Sequence, residues 1–243
     1  KNSATILLFH GASGNGKQTK EWIRYLLRKD LQFPHIKVVY PTAPLQPYTP
    51  FDGRVQFPRM KVVFSTAPLQ PYTPFDGRIT NVWYDRDHPG DAVTTKSDLS
   101  NAREIITRLI KSEEEQGIPP SRIVMGGFSM GAALALCTGY HWNTNLKGIF
   151  ALSTSLNDDS RVYEALKNRS KDTELPELIM YHGDRDAIIP FERGLATFNK
   201  LKSLGVPGEF FKLERTYHEM KGPQWIEICD WILKLLPPLQ GDV

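Results

Sequence analysis

Ile123-Val124-Met125-Gly126-Gly127-Phe128-Ser129-Met130-Gly131-Ala132-Ala133-Leu134 decides how this chain folds. The apolar run Ile123 to Gly126 has the length of a buried strand, and Ala132, Ala133 and Leu134 open a helix, so the chain must turn sharply between them. GxSxG in that setting predicts a nucleophile elbow. The serine is held in a strained backbone at a strand-to-helix turn, and the residues two before and two after it must be small for strand and helix to approach. Gly127 and Gly131 meet that need. The turn would raise the Ser129 hydroxyl above a sheet at a helix N-terminus, where the Met130 amide can donate to a developing oxyanion.

On either side of the elbow, strand alternates with helix. Thr5 to Phe9 is a solid apolar run, followed by a helical segment in which Trp22, Ile23, Leu26 and Leu27 pair at i, i+4. From Leu99, the spacing Ala102, Ile106, Leu109, Ile110 predicts a helix closed by Gly117 and Pro119-Pro120. Further strands are expected at Leu146 to Leu152, Leu178 to His182 and Glu209 to Leu213. Helices are expected at Gly131 to Tyr140, Val162 to Leu166, Phe191 to Leu204 and Pro223 to Leu236. Solid apolar strands between amphipathic helices indicate an α/β fold, a mainly parallel central sheet with helices on both faces and ligands at the carboxyl ends of the strands. Glu113-Glu114-Glu115 reads as a solvated helix end. With 243 residues, the whole chain 1–243 is expected to form one domain.

A tandem duplication interrupts this pattern. Residues 32–54 reappear as 56–78 with four mismatches in 23 positions. Each copy holds a short apolar strand, Ile36 to Tyr40 or Met60 to Phe64, and then a proline-rich stretch unsuited to helix or interior strand. Two copies are too few for a solenoid. One copy is expected to fill the core strand position, and the other to add an edge strand or a surface loop.

A serine nucleophile needs a base and an acid, in the chain order Ser, Asp or Glu, His for this kind of elbow. Of His10, His35, His88, His141, His182 and His218, only His218 follows every plausible acid. The acid is expected in the loop after Leu178 to His182, where both Asp184 and Asp186 are in place and spacing does not choose between them. Asp158 and Asp159 are distant fallbacks. His182, at a strand end, reads as structural. A second oxyanion donor is expected from Phe9-His10-Gly11-Ala12-Ser13-Gly14 after the first strand. The Ala12 amide is the candidate, with His10 and Gly11 shaping the loop.

That loop also supports a rival reading. Gly11 to Gln18 nearly spells the phosphate-cradling GxxxxGK[ST], but Gln18 stands where a Mg²⁺-holding hydroxyl is required. A net charge of +3 is far short of the clustered basic excess by which a protein competes for phosphate backbones, which argues against nucleic acid as partner. No apolar run approaches the roughly 20 residues that span a bilayer, so stable membrane insertion is not expected. Cys137 and Cys229 lie in helix-like segments rather than in a disulfide framework, which suits a reducing, cytoplasmic setting.

Phe128-Ser129-Met130-Gly131, His182-Gly183-Asp184-Arg185-Asp186, Tyr217-His218, Tyr40-Pro41-Thr42-Ala43-Pro44 and Asn81-Val82-Trp83-Tyr84-Asp85 together resemble the acyl-protein thioesterase and lysophospholipase family of α/β hydrolases. The likeness runs from about Ile6 to Pro237. It implies the α/β-hydrolase fold, with Asp186 as the triad acid beside Ser129 and His218, and Ala12 and Met130 as oxyanion donors. It further implies hydrolysis of fatty thioesters on acylated proteins, or of small acyl esters, with no cofactor or metal. A hydrolase-fold interaction protein without activity is the alternative. Three departures stand out: Ala132 replaces a usual glycine, Ser13-Gly14 stands where the family has Gly-Asp, and the duplication precedes the Trp83 segment.

Overall fold

The computed structural model describes residues 2–49, 75–86, 92–94 and 97–240. Among them, six strands form one sheet: β1 (Ala4–Phe9), β2 (Ile36–Val39), β5 (Ile123–Phe128), β6 (Gly148–Leu152), β7 (Glu177–Gly183) and β8 (Gly208–Leu213). The order is β2-β1-β5-β6-β7-β8, and every neighbouring pair is parallel. A separate antiparallel ribbon pairs β3 (Leu45–Thr49) with β4 (Phe75–Asn81). The helices are α1 (Gly16–Leu27), α2 (Ser100–Glu115), α3 (Met130–Cys137), α4 (Arg161–Asn168), α5 (Phe191–Ser203) and α6 (Gly222–Leu235).

Two-residue alternation along the strands builds a core on each face of the sheet. Ala4, Ile6 and Leu8 join Val124, Phe150 and Ile179 under α1 and α6, through Ile23, Trp225, Ile228 and Ile232. Leu7, Phe9, Met125, Ile149 and Met180 face the other way, toward α2, α3, α4 and α5. The solid apolar strands in the sequence therefore mark a sheet covered on both sides. No helix among the described residues is long and apolar enough to cross a membrane.

Several elements differ from the sequence reading. The helix expected over Gly131 to Tyr140 ends at Cys137 and widens into a π-turn, Thr138–Trp142. Within that turn Gly139 lies so close to Ile149 that a Cβ would come within 2.6 Å of it. Glu113, expected in a solvated helix end, is only 4% exposed and accepts hydrogen bonds from Thr5 Oγ1 at 2.6 Å and Lys37 Nζ at 2.7 Å. It ties α2 to β1 and β2, and a charge with two donors tolerates burial that a lone charge would not. The duplication contributes its first copy to the sheet, since β2 pairs with β1 at the edge. The proline-rich stretch of that copy supplies β3, where Pro47 is tolerated because each strand of a two-stranded ribbon has an outer edge. The strand expected at Met60 to Phe64 lies outside the described residues, as does His88; of the second copy, only Phe75 to Arg78, within β4, is described.

Strand order fixes where a site can form. The chain leaves β1 toward β2 on one side and leaves β5 toward β6 on the other, so the connections after β1 and β5 diverge. Such a switch point opens a crevice at the carboxyl ends of the strands.

Candidate active site

Ser129 stands at that switch point, directly after β5, with φ 54° and ψ −118°. A non-glycine residue in this region is strained by about 1 to 3 kcal/mol, and the surroundings must hold it there. Its N–H donates to the Leu152 carbonyl at 2.8 Å, and its carbonyl accepts the Ala132 and Ala133 amides as α3 begins. The flanking glycines permit the turn. A Cβ on Gly127 would stand 2.4 Å from the Phe9 carbonyl oxygen, and one on Gly131 would stand 2.5 Å from the carbonyl oxygens of both Phe9 and His10. Ala132, the next residue, is fully buried beside these contacts.

The loop after β1 lies against the elbow: a Cβ on Gly11 would meet the Phe128 ring at 3.2 Å and Ser129 Cβ at 3.5 Å. His10 shapes this loop. Its Nδ1 donates to the Gly11 carbonyl at 2.6 Å, and its Nε2 accepts the Ala43 amide at 2.8 Å. An N–H aimed at Nε2 requires the neutral ring, and burial lowers the His10 pKa to about 4, against a smaller upward pull from the Gly11 carbonyl. Ser13 adopts φ 62° and donates its N–H to the Asn81 carbonyl at 2.9 Å. Between these anchored residues, the Ala12 N–H has no backbone partner among the described residues, and neither has the Met130 N–H at the start of α3. Both amides flank the Ser129 turn.

His218 and Asp186 reach the same end of the sheet from the loops after β8 and β7. These loops are fastened together. Asp184 N–H donates to the Leu213 carbonyl at 3.1 Å, Arg185 N–H donates to the Thr216 carbonyl at 3.0 Å, and Gly183 has no Cβ to strike Thr216. The two aspartates divide the work. Asp184 Oδ1 accepts the Thr216 amide at 3.3 Å, whereas Asp186 Oδ2 accepts from His218 Nδ1 at 2.7 Å. Asp186 Oδ1 takes the Ile188 and Ile189 amides, each at 2.9 Å. Burial alone would raise the Asp186 pKa, but hydrogen bonds from His182 and His218, the His218 charge and the Ile189 amide hold it well below the usual carboxylate range. His182 Nε2 donates to the Ile189 carbonyl at 2.8 Å and lies 3.4 Å from Asp186 Oδ2, so this buried histidine positions the carboxylate. The His218 ring packs on Phe128, the residue before Ser129, with centroids 4.7 Å apart. Its Nε2 lies on the side away from Asp186. Among the described residues the Ser129 hydroxyl has no hydrogen-bond partner, and nucleophile–base contacts commonly tighten only around substrate. Asp158 and Asp159 fall before α4, where exposed Asp158 pairs with Lys200 at 2.9 Å.

Trp83 also supports the site, although its position in the sequence assigned it no role. Its Nε1 donates to the His10 carbonyl at 2.9 Å, its N–H reaches Met130 Sδ at 3.4 Å, and its ring packs on Phe9 and His10 at 5.0 Å each. It pins the loop after β1 to the start of α3. A lone buried tryptophan carries no local signal for this, since the contacts span more than 40 residues.

The phosphate-cradle reading fails at its amides. Gly16 N–H donates to Thr42 Oγ1 at 3.0 Å and Gln18 N–H to Asn15 Oδ1 at 2.9 Å, while Lys17 extends to Glu21. Two of the amides that would hold a phosphate, those of Gly16 and Gln18, are thus occupied by the protein.

Comparison with known proteins places the family and the fold. Residues 50–236 match the phospholipase/carboxylesterase family. The chain is 34% identical to lysophospholipase-like protein 1 of Mus musculus, over 98% of this chain and 89% of the relative. It is 32% identical to acyl-protein thioesterase 1 homolog 1 of Dictyostelium discoideum, over 97% of this chain and 92% of that protein. Among solved structures, Arabidopsis thaliana SOBER1 superposes with a TM-score of 0.74 at 22% identity, covering 96% of this chain and 99% of that one. Zea mays acyl-protein thioesterase 2 gives 0.69 at 20% identity, with 97% and 95% covered.

Proposed function

The chain belongs to the phospholipase/carboxylesterase family of α/β hydrolases, and from that premise we propose that it cleaves fatty thioesters on acylated proteins, or small acyl esters, with Ser129 as nucleophile, His218 as base and Asp186 as orienting acid. His218 Nε2 takes the Ser129 proton as the hydroxyl attacks the acyl carbonyl. The Ala12 and Met130 amides stabilise the tetrahedral oxyanion. His218 then returns the proton to the departing thiol or alcohol, and water, deprotonated by the same ring, releases the acyl group from Ser129. Asp186 keeps the proton of His218 on Nδ1, which leaves Nε2 free to act. No cofactor takes part in these steps. Free Cys137 and Cys229 accord with a cytosolic setting.

One observation carries the reading. A strained serine, two amides without a backbone partner among the described residues and a carboxylate-bound imidazole lie in the segments that follow β5, β1 and β8, and the imidazole packs on Phe128, the residue before the serine. A fluorophosphonate probe tests it. Labelling is expected for the wild type and lost in Ser129→Ala, whose kcat on a thioester should fall on the order of 10⁶-fold. Asp186→Asn should cost roughly 10⁴-fold and Asp184→Asn far less. Equal labelling of wild type and Ser129→Ala removes Ser129 from the mechanism, and a folded wild type with neither labelling nor turnover points to an interaction protein.

A further inference from the structure

The positive charge of this protein is concentrated in one segment, α1 and the three residues that follow it. From Lys17 to Asp30 the chain carries five basic side chains (Lys17, Lys20, Arg24, Arg28, Lys29) and two acidic ones (Glu21, Asp30). That balance equals the +3 of the whole chain, so all other residues together are neutral. All five basic residues are exposed. Helix stability accounts for only part of them: Arg24 stands in the last turn, where a cation suits the dipole, and Lys17 and Arg24 pair with Glu21 and Asp30 at 3.7 Å each, whereas no such pair involves Lys20, Arg28 or Lys29 among the described residues. The first turn of α1 holds no acidic residue and does hold Lys17, which opposes the positive end of the helix dipole.

Large aromatic side chains lie among these charges, with Trp22 38% and Tyr25 80% exposed. Buried Thr19 and Ile23 hold the opposite side of α1 in the core, so the outward face is fixed. The face continues to the site. Trp22 meets the Phe128 ring edge-on at 5.8 Å, and Phe128 meets His218. Tyr217, next to His218, is 57% exposed, and Ile226 on α6, the helix packed beside α1, is 58% exposed. Single exposed apolar residues need no explanation. Basic side chains interleaved with tryptophan and tyrosine, beside the mouth of a site, match the chemistry of an anionic membrane interface.

We propose that the outward face of α1, extended by Tyr217 and Ile226, docks on bilayers that carry anionic lipid, with Trp22 and Tyr25 at headgroup depth and the His218 side of the crevice turned toward the membrane. Each Lys or Arg near such a surface strengthens binding roughly fivefold at low salt, and the effect fades as salt screens it. The inference goes beyond the hydrolase reading and is tested without it.

Co-sedimentation with phosphatidylcholine vesicles, with and without about 30% phosphatidylserine, makes the test at about 0.1 M and about 0.5 M salt. The wild type is expected to pellet with the phosphatidylserine vesicles at the lower salt and to be released at the higher. Lys20→Gln/Arg24→Gln should weaken that binding roughly 30-fold. Tyr25→Ser, at a side chain that supports no other element, should weaken it as well. Turnover of a water-soluble short-chain thioester by the same samples reports on the hydrolase reading alone and should be unchanged in both variants. The proposal is overturned if the wild type stays in the supernatant, if it binds phosphatidylcholine as well as phosphatidylserine, or if both variants bind as the wild type does. Tighter binding of double-stranded RNA through the same residues would also overturn it.

Discussion

Gly131→Ala places one methyl group where α3 meets the end of β1, and its consequences follow from the contacts there. The added carbon would stand 2.5 Å from the carbonyl oxygens of Phe9 and His10 and 2.7 Å from the Phe9 carbonyl carbon. All three are backbone atoms, so no side chain can swing aside. Helix propensity favours alanine by about 1 kcal/mol, whereas forcing a methyl into a closed contact costs about 1 to 3 kcal/mol. The net effect on stability is therefore at most about 2 kcal/mol, a fall of about 4 to 8 °C in Tm for a chain of this size. Activity should suffer more. Relief requires β1 and α3 to separate by several tenths of an ångström, and Ala12 lies two residues beyond His10. The same movement carries the Ala12 amide away from the Met130 amide, and misplacement on that scale costs about 10² in rate. Thermal unfolding together with steady-state thioester kinetics checks this, with the loss expected mainly in kcat. Activity within about threefold of wild type would refute the claim that this close approach sets the oxyanion geometry.

Two further predictions concern the frame of the site. His10 is neutral in the folded protein, with its pKa lowered from 6.5 to about 4, so between those values the unfolded chain binds a proton that the folded chain refuses. Stability is therefore complete above pH 6.5, falls by up to about 3 kcal/mol as the pH drops toward 4, and loses nothing more from this group below that. The depressed carboxyl of Asp186 acts only below its ordinary value of 3.8, outside this window. An NMR titration of the His10 ring that places its pKa near 6.5 would disprove the prediction. Glu113→Leu removes the charged partner of Lys37, which keeps only Gln116, and leaves the buried Thr5 hydroxyl unsatisfied, which should cost about 2 to 4 kcal/mol in urea unfolding, with Glu113→Gln costing less. Equal stability of Glu113→Leu and wild type would contradict it.

The parts of this protein legible in its sequence are those whose cause is local. A nine-residue window holds the elbow, because strand, turn and helix are neighbours along the chain and the small residues at 127 and 131 answer a contact within that window. Apolar runs located the six strands β1, β2, β5, β6, β7 and β8, and chain order singled out His218, whose ring bonds Asp186. Spacing did not separate Asp184 from Asp186, because both lie in one short loop and the choice depends on which carboxylate faces the loop after β8. One takes the Thr216 amide and the other the imidazole, contacts made across 32 residues.

Glu113 and Ser13 carry the same lesson from opposite directions. Three successive glutamates at a helix end resemble every solvated helix end, and only the approach of Thr5, 108 residues away, makes the first of them a buried tie. Ser13 breaks a local rule, because its φ of 62° suits glycine, and the hydrogen bond that holds it there comes from Asn81, 68 residues on. The Asn81 side chain in turn donates to the Ala43 carbonyl at 2.6 Å, and the Ala43 amide is the donor to His10 Nε2. Position 13, the neutral ring of His10 and the end of β4 thus form one connected frame around the Ala12 amide. A glycine at 13 would relieve the backbone strain in that frame by about 1 kcal/mol without adding a single contact. The frame holds the strained serine in place because long-range hydrogen bonds outweigh the local preference, and a sequence window does not contain those bonds.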